Sequence, residues 1–101
     1  MSNLEVANTI LSQIGGRGRL SAMLGAKDFL GGERHLQFKF AAKAANKANT
    51  IKIILDPSDT YTVEMWSCRG TSFKKVFELE GVYAEDLLRV MEGETKLAFR
   101  L

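Results

Sequence analysis

Residues 50–69 read TIKIILDPSDTYTVEMWSCR, and this stretch decides the fold because apolar and polar side chains alternate on both sides of one turn. Alternation with a period of two, in β-branched and aromatic residues, is typical of half-buried antiparallel strands. Pro57, the only proline, fixes φ at the second turn position, and Asp56 can accept hydrogen bonds from the backbone amides that follow. The inward positions of this predicted strand pair are Ile51, Ile53, Leu55, Tyr61, Val63 and Met65.

Further strands are predicted on both sides of this hairpin. Residues 34–40 alternate with Leu36, Phe38 and Phe40 inward, and residues 20–24 form a short strand of small side chains. The glycine-containing residues 25–32 between them are predicted to be a turn or compact loop.

After the hairpin, residues 73–79 are predicted to form the last strand of the sheet. Its inward positions are Phe73, Phe77 and Leu79, and the pair Glu80-Gly81 is expected to break it. The tail around Leu97, Phe99 and Leu101 alternates, and it is either a short final strand or a tethered extension.

Two amphipathic helices are predicted at the ends of the chain. Residues 4–14 have helical spacing of apolar side chains, with Asn3 as N-cap and glycines at 15 and 16 as the stop. Residues 83–92 form the second helix, which ends near Gly93.

The resulting order is α-β-β-β-β-β-α, which predicts a single α+β domain over residues 1–101. We expect an antiparallel sheet of four to five strands with both helices packed on one face. The residues expected in its core are Ile10, Leu11, Phe38, Ile53, Tyr61, Val63, Phe77 and Leu87.

Composition describes an ordinary soluble globular protein, with 46% apolar and 26% charged residues. One cysteine excludes an internal disulfide, and the absence of a signal peptide or a long apolar run predicts a cytoplasmic protein. The net charge of +2 is uneven, because residues 1–52 carry a net +5 and residues 53–101 a net −3. This asymmetry predicts a basic face.

Catalytic motifs are missing from the chain, so we expect a protein that is not an enzyme and that uses no metal and no cofactor. The single histidine, His35, lies on the polar side of a predicted strand, and the single cysteine, Cys68, has no base near it in sequence. The competing possibility is a small metal-dependent nuclease that uses Asp56, Asp59 or Glu64.

Basic residues on loops and on outward strand positions form the most suggestive pattern. The segment from Ala41 to Asn49, AAKAANKAN, is expected to be a long mobile loop that projects into solvent. With the strands beside it, such a loop can straddle a phosphate backbone. The predicted nucleic-acid-binding residues are Arg17, Arg19, Lys39, Lys43, Lys47 and Lys52.

Several phrases together resemble a family of small uncharacterised proteins encoded by bacteriophages and prophages. The phrases are ILSQIGG (10–16), MLGAKDF (23–29), LQF (36–38), LDPSDTYTVE (55–64), RG (69–70) and EGVY (80–83). Near the C-terminus, Thr95-Lys96-Leu97 departs from a Thr-Gly-Leu type of ending. The resemblance implies a phage or mobile-element context and brings no known activity, catalytic residue or fold.

Two functions therefore remain open. The first is a phage accessory protein that binds nucleic acid through its basic face. The alternative is an inhibitor or adaptor that binds a host protein complex, such as an anti-phage defence system, with Trp66 as an aromatic anchor. A membrane partner is not expected, and the sequence leaves the oligomeric state open.

Overall fold

The computed structural model describes residues 4–99, which form three helices, five strands and a 3-10 turn. The predicted N-cap Asn3 and the last tail residue Leu101 lie outside the described residues. The elements are α1 (Glu5–Gln13), α2 (Gly16–Leu24), β1 (Lys27–Gly31), β2 (His35–Lys39), β3 (Thr50–Leu55), β4 (Tyr61–Arg69), β5 (Ser72–Val82), the 3-10 turn Ala84–Asp86 and α3 (Leu87–Thr95). None of these helices has the length and apolar content that crossing a membrane takes.

The five strands form one antiparallel sheet in the order β1-β2-β3-β4-β5. The hairpin predicted from residues 50–69 is confirmed, and its turn is closed by the amide of Asp59 donating to the carbonyl of Asp56 at 3.0 Å. The Asp56 carboxylate accepts a hydrogen bond from the hydroxyl of Thr62 at 2.7 Å, so it also fastens the turn to β4.

One face of this sheet is covered by the helices and forms the core, so the predicted α+β architecture is confirmed. Leu36 and Phe38 of β2 lie beside Ile53 and Ile51 of β3, and all four side chains are buried. Of the predicted core residues, Leu11 and Phe77 are only partly buried, and the other six are buried.

Helix α2 was not predicted from the sequence, which instead indicated a strand at residues 20–24. Two glycines, Gly16 and Gly18, weaken the helical pattern there, because glycine costs about 1 kcal/mol relative to alanine inside a helix. The helix forms because Leu20 and Leu24, four residues apart, both reach the core. Strand β1 is a second correction, because its residues were predicted to belong to the turn or compact loop at residues 25–32.

Two β-bulges in β5 correct the inward positions predicted for that strand. A register shift between Met65 and Trp66 of β4 leaves an extra residue in β5, so Phe77 faces the helices while Phe73 lies on the opposite face. Phe73 is therefore 67% exposed, contrary to the prediction. The strand also continues past Glu80, because Gly81 adopts a φ of 69° in the second bulge and does not end it.

Leu79 was also predicted to be inward, and it remains 43% exposed. It shares a face with its register partner Val63, but it belongs to an edge strand, which in the described part of the chain pairs with β4 alone. Edge positions receive less cover from packed elements, so the face a residue points to does not by itself decide its burial.

Residues 41–49, which we name the bridging segment, are packed against the domain and do not project into solvent as predicted. Ala44 and Ala48 are buried, at 9% and 3% exposure. The backbone amide of Ala45 donates to the carbonyl of Thr95 at the end of α3, and that of Ala41 donates to the carbonyl of Leu24 at the end of α2. The segment therefore ties two helices together.

The chain after α3 returns to the core. Helix α3 extends two residues beyond the predicted stop at Gly93, and the left-handed conformation of Lys96 (φ 60°) ends it. Phe99 is fully buried, and its amide donates to the Glu92 carboxylate at 3.0 Å. Through Phe99, the described tail is a packed extension with no strand in residues 96–99.

Candidate functional site

Within residues 4–99, no helix or loop covers the face of the sheet opposite the helices, and we name it the open face. It follows from strand alternation, since Leu36 and Phe38 point to the core and Gln37 and Lys39 point away. It holds a shallow groove of about 510 Å³. The groove is lined by Leu30, Gln37, Lys39, Thr50, Lys52, Glu64, Trp66, Cys68 and Phe73.

A single cross-strand row runs over this face from one sheet edge to the other. The register pairs Lys27 with Lys39, Lys39 with Thr50, Thr50 with Trp66, and Trp66 with Lys75. Residues paired directly across antiparallel strands share a face, and like charges in that position are destabilising. The Lys27–Lys39 pair therefore makes this part of the row favourable for an anion.

Trp66 lies at the centre of the open face and is partly buried. Its indole Nε1 donates to Glu64 Oε1 at 3.0 Å, which fixes the ring orientation. The Lys75 Nζ lies 5.6 Å from the ring centroid, within the range of a cation–π contact. The ring is thus held as a fixed, partly accessible aromatic surface between charged side chains.

Charge is divided unevenly across the open face. On the β4–β5 side, Lys75 Nζ contacts Glu78 at 2.7 Å and Glu64 at 4.0 Å, and the hydrogen bond to Glu78 raises the pKa of Lys75. On the other side, strands β2 and β3 contain no acidic residue and contribute Lys39 and Lys52. The basic part of the face is therefore formed by β2 and β3, with Lys27 of β1 beside Lys39.

The predicted nucleic-acid-binding residues fall into three separate places. Lys39 and Lys52 share the open face, whereas Arg17 lies on the helix-covered side. The Arg17 guanidinium sits 5.0 Å from the ring centroid of Phe29, which in turn stacks on the core residue Phe38. Arg19 is exposed on the same helix as Arg17, so these two arginines do not join the row.

Lys43 and Lys47 belong to the bridging segment and lie apart from both other pairs. With Arg69 they line a second groove, of about 690 Å³, whose floor includes Phe40 and Ala48. Three exposed cations therefore surround that groove at the end of the sheet. The sequence predicted a mobile loop that straddles a phosphate backbone. The structure instead has a packed segment whose two lysines line this groove.

His35 also points to the open face, at the β1–β2 turn. Burial lowers the pKa of His35, and the nearby Lys52 ammonium lowers it further. Its ring lies directly against Gly32, so a side chain added at Gly32 would collide with it.

The shifted pKa of His35 predicts that the folded protein loses stability as pH falls. The unfolded chain takes up a proton near its ordinary pKa of about 6.5, before the folded chain does, so the free energy of unfolding decreases below that pH. Urea denaturation at pH values between about 7.5 and 5.5 measures this slope. The variant His35→Gln should flatten it. An equal slope in that variant would assign the effect to other groups.

Among residues 4–99, no three histidine, cysteine, aspartate or glutamate side chains form a cluster that could hold a metal ion. Of the carboxylates considered for a metal-dependent nuclease, Asp56 accepts a hydrogen bond from Thr62 in the turn. Glu64 accepts one from Trp66 on the open face. The Cys68 thiol lines the open-face groove and is partly exposed.

Sequence reasoning missed four open-face residues, namely Lys27, Leu30, Phe73 and Lys75. Lys27 and Leu30 belong to a strand that was predicted to be a loop, and the bulge in β5 decides the facing of the other two. Leu30 and Phe73 are 58% and 67% exposed, which makes the groove apolar at both ends.

Comparison of the chain with protein-family models, with curated proteins and with solved structures found no match.

Proposed function

We propose that the protein binds single-stranded nucleic acid across the open face and is not an enzyme. The observation that carries this proposal is the row Lys27–Lys39–Thr50–Trp66–Lys75, in which cations flank one tryptophan across the sheet. Lysine contacts to phosphates combined with a base stacked on an aromatic ring are the usual basis of single-strand binding. A duplex offers no unpaired base to Trp66, so a single strand fits better.

In the proposed complex the phosphates lie along β1–β3, against Lys27, Lys39 and Lys52, where acidic residues are lacking in β2 and β3. An unpaired base stacks on the Trp66 ring and takes the place of the Lys75 ammonium. The Lys75 side chain is exposed and can turn toward the phosphate of that base. Each stacked base is worth about 1–3 kcal/mol in comparable proteins.

Binding of short DNA and RNA strands should quench the fluorescence of Trp66, the only tryptophan. With about three to four lysine–phosphate contacts, affinity should fall roughly 20- to 50-fold between about 50 and 200 mM salt. The double variant Lys39→Gln/Lys52→Gln should lower the slope of log affinity against log salt by about 1.4. Fluorescence titration at several salt concentrations measures both quantities.

Lys74→Gln is the matched control, because Lys74 is paired with Ser67 and lies on the other face of the same sheet. Like Lys39→Gln and Lys52→Gln, it removes one positive charge. It should change the affinity for the strand little. Unquenched Trp66 fluorescence at saturating strand would contradict the proposal. So would cleavage of the strands that depends on divalent ions and is lost in Asp59→Ala.

A protein partner is the second candidate, and the exposed Leu30 and Phe73 at the ends of the groove favour it. Apolar anchors beside a tryptophan are typical of protein interfaces, and the resemblance to phage-encoded proteins makes a host complex the natural partner. Binding through such anchors should depend little on salt. Phe73→Ala would weaken it strongly but would leave strand binding to the lysine half nearly unchanged.

A further inference from the structure

Strand β5 is an edge of the sheet and the longer of its two edges. It has 11 residues, against five in β1, and in the sheet formed by residues 4–99 it pairs on one side only, with β4. Most of its side chains are exposed. The outer N–H and C=O groups of an edge strand can pair with another strand, and long edges that remain uncovered are uncommon.

Charges along β5 are separated by sign. Lys74 and Lys75 lie in its first half, Glu78 and Glu80 lie in its second half, and the apolar pair Val76-Phe77 lies between them. A strand with this pattern is complementary to its own reverse, because antiparallel pairing can bring Lys75 of one copy against Glu78 of the other.

The bulge near Val76 restricts the register of such a pairing. Lys75 is paired with Trp66 and Glu78 with Glu64, so both side chains lie on the open face although they are three residues apart. Their contact of 2.7 Å agrees with this placement. In an antiparallel pair, directly opposite residues share a face, and a twofold axis between Val76 and Phe77 places Lys75 opposite Glu78 on that same face.

We propose that β5 is the interface of a homodimer, in which two copies pair antiparallel about this axis. Lys75 lies opposite the partner's Glu78, and Glu78 lies opposite the partner's Lys75. The half-buried Val76 and Phe77 meet the partner's Phe77 and Val76 at the centre. The two sheets then form one continuous sheet of ten strands, with the helices of both copies on one side and both open faces on the other.

This interface closes on itself, because a twofold pairing uses the β5 edge of both copies and offers no further β5 edge. A single strand pair is small beside the roughly 1,200–2,000 Å² of standard stable interfaces, so the dimer should form in a concentration-dependent way. The proposal is independent of what the open face binds.

Charge-reversal variants test it directly. In a dimer of Lys75→Glu, positions 75 and 78 that face each other across the axis would both be acidic, and in a dimer of Glu78→Lys both would be basic. Because like charges directly opposite are destabilising, each variant alone should be monomeric. A mixture of the two should dimerise again, because every opposed pair across the axis then has opposite signs. The contact within each chain stays repulsive in the mixture, so rescue cannot come from it. Sedimentation velocity, with one variant fluorescently labelled, measures the dimer against the 11.2 kDa of one chain.

Lys74→Glu is the matched control, since Lys74 lies on the helix-covered side of the strand and faces an apolar position of the partner. It should dimerise as the parent does. In the unaltered protein, hydrogen exchange of the β5 amides should be slower at about 500 µM than at about 5 µM. A monomeric parent at about 500 µM, or a mixture that stays monomeric while the parent dimerises, would overturn the proposal.

Discussion

Replacement of the bridging segment, residues 41–49, by a two-residue Asn-Gly turn is expected to unfold the protein. The change removes the buried Ala44 and Ala48 and the backbone hydrogen bonds that reach Leu24 and Thr95. With the three hydrogen bonds that join Asn49 to Trp66 and Cys68, at least six hydrogen bonds and two buried methyl groups are lost. At about 1 kcal/mol for each hydrogen bond and 0.8 kcal/mol for each methyl group, the loss is about 7 kcal/mol or more. A domain of this size is stable by only about 5–15 kcal/mol.

The shorter connection offsets little of this loss. Closing a loop of two residues in place of nine gains about 1.3 kcal/mol, since each doubling of length costs roughly 0.6 kcal/mol. Circular dichroism during heating measures the outcome, and no cooperative transition is expected. A shortened protein that melts within a few degrees of the parent would show that the segment is a tolerated loop.

A single side chain, Asn49, tests the same role without changing the chain length. The side-chain Nδ2 of Asn49 donates to the backbone carbonyl of Cys68 at 2.8 Å, and its side-chain Oδ1 accepts from the backbone amide of Cys68 at 2.9 Å. These two bonds extend the β3–β4 ladder by one step. Asn49→Ala should lower the free energy of unfolding by about 2–3 kcal/mol, because two partly buried backbone groups lose their partner. Lys43→Ala, at an exposed position of the segment, is the control and should stay within about 0.5 kcal/mol of the parent.

Period-two alternation in large apolar residues predicted the centre of the fold. Strands β2, β3 and β4 carry this pattern over most of their length, and their side chains face as expected. The pattern does not report register shifts, so the bulge in β5 reversed the facing of Phe73. Alanine gives no indication of burial by its size, and the packing of Ala44 and Ala48 depends on partners that are distant in sequence.

Part of the candidate site could also be predicted from the sequence, for the same reason. Lys39 and Lys52 were expected at outward positions, and cross-strand pairing brings them to one face with Trp66. Lys27 could not be found in this way, because its strand, KDFLG, has no alternation of apolar and polar residues and contains a left-handed Asp28 (φ 55°). The separation of Arg17 from the row follows from helix α2, which the two glycines concealed.

Phe99→Ala is expected to be among the most destabilising single substitutions in the chain. The side chain is fully buried although residues 96–99 form no regular element, so its removal leaves a cavity in the core. Phenylalanine-to-alanine changes of this kind cost about 3–5 kcal/mol, which corresponds to a fall in melting temperature of about 15–30 °C for a domain of this size. Thermal unfolding followed by circular dichroism measures it.

Phe73→Ala is the matched control, since it makes the same chemical change at a side chain that is 67% exposed on the edge strand. It should alter the free energy of unfolding by no more than about 0.5 kcal/mol. The two substitutions separate burial from residue type, because only the position in the fold differs between them. Equal melting temperatures for the two variants would mean that the tail does not pack in solution. A large loss in Phe99→Ala alone would establish the tail as part of the core, to which the amide of Phe99 also ties α3 through the Glu92 carboxylate.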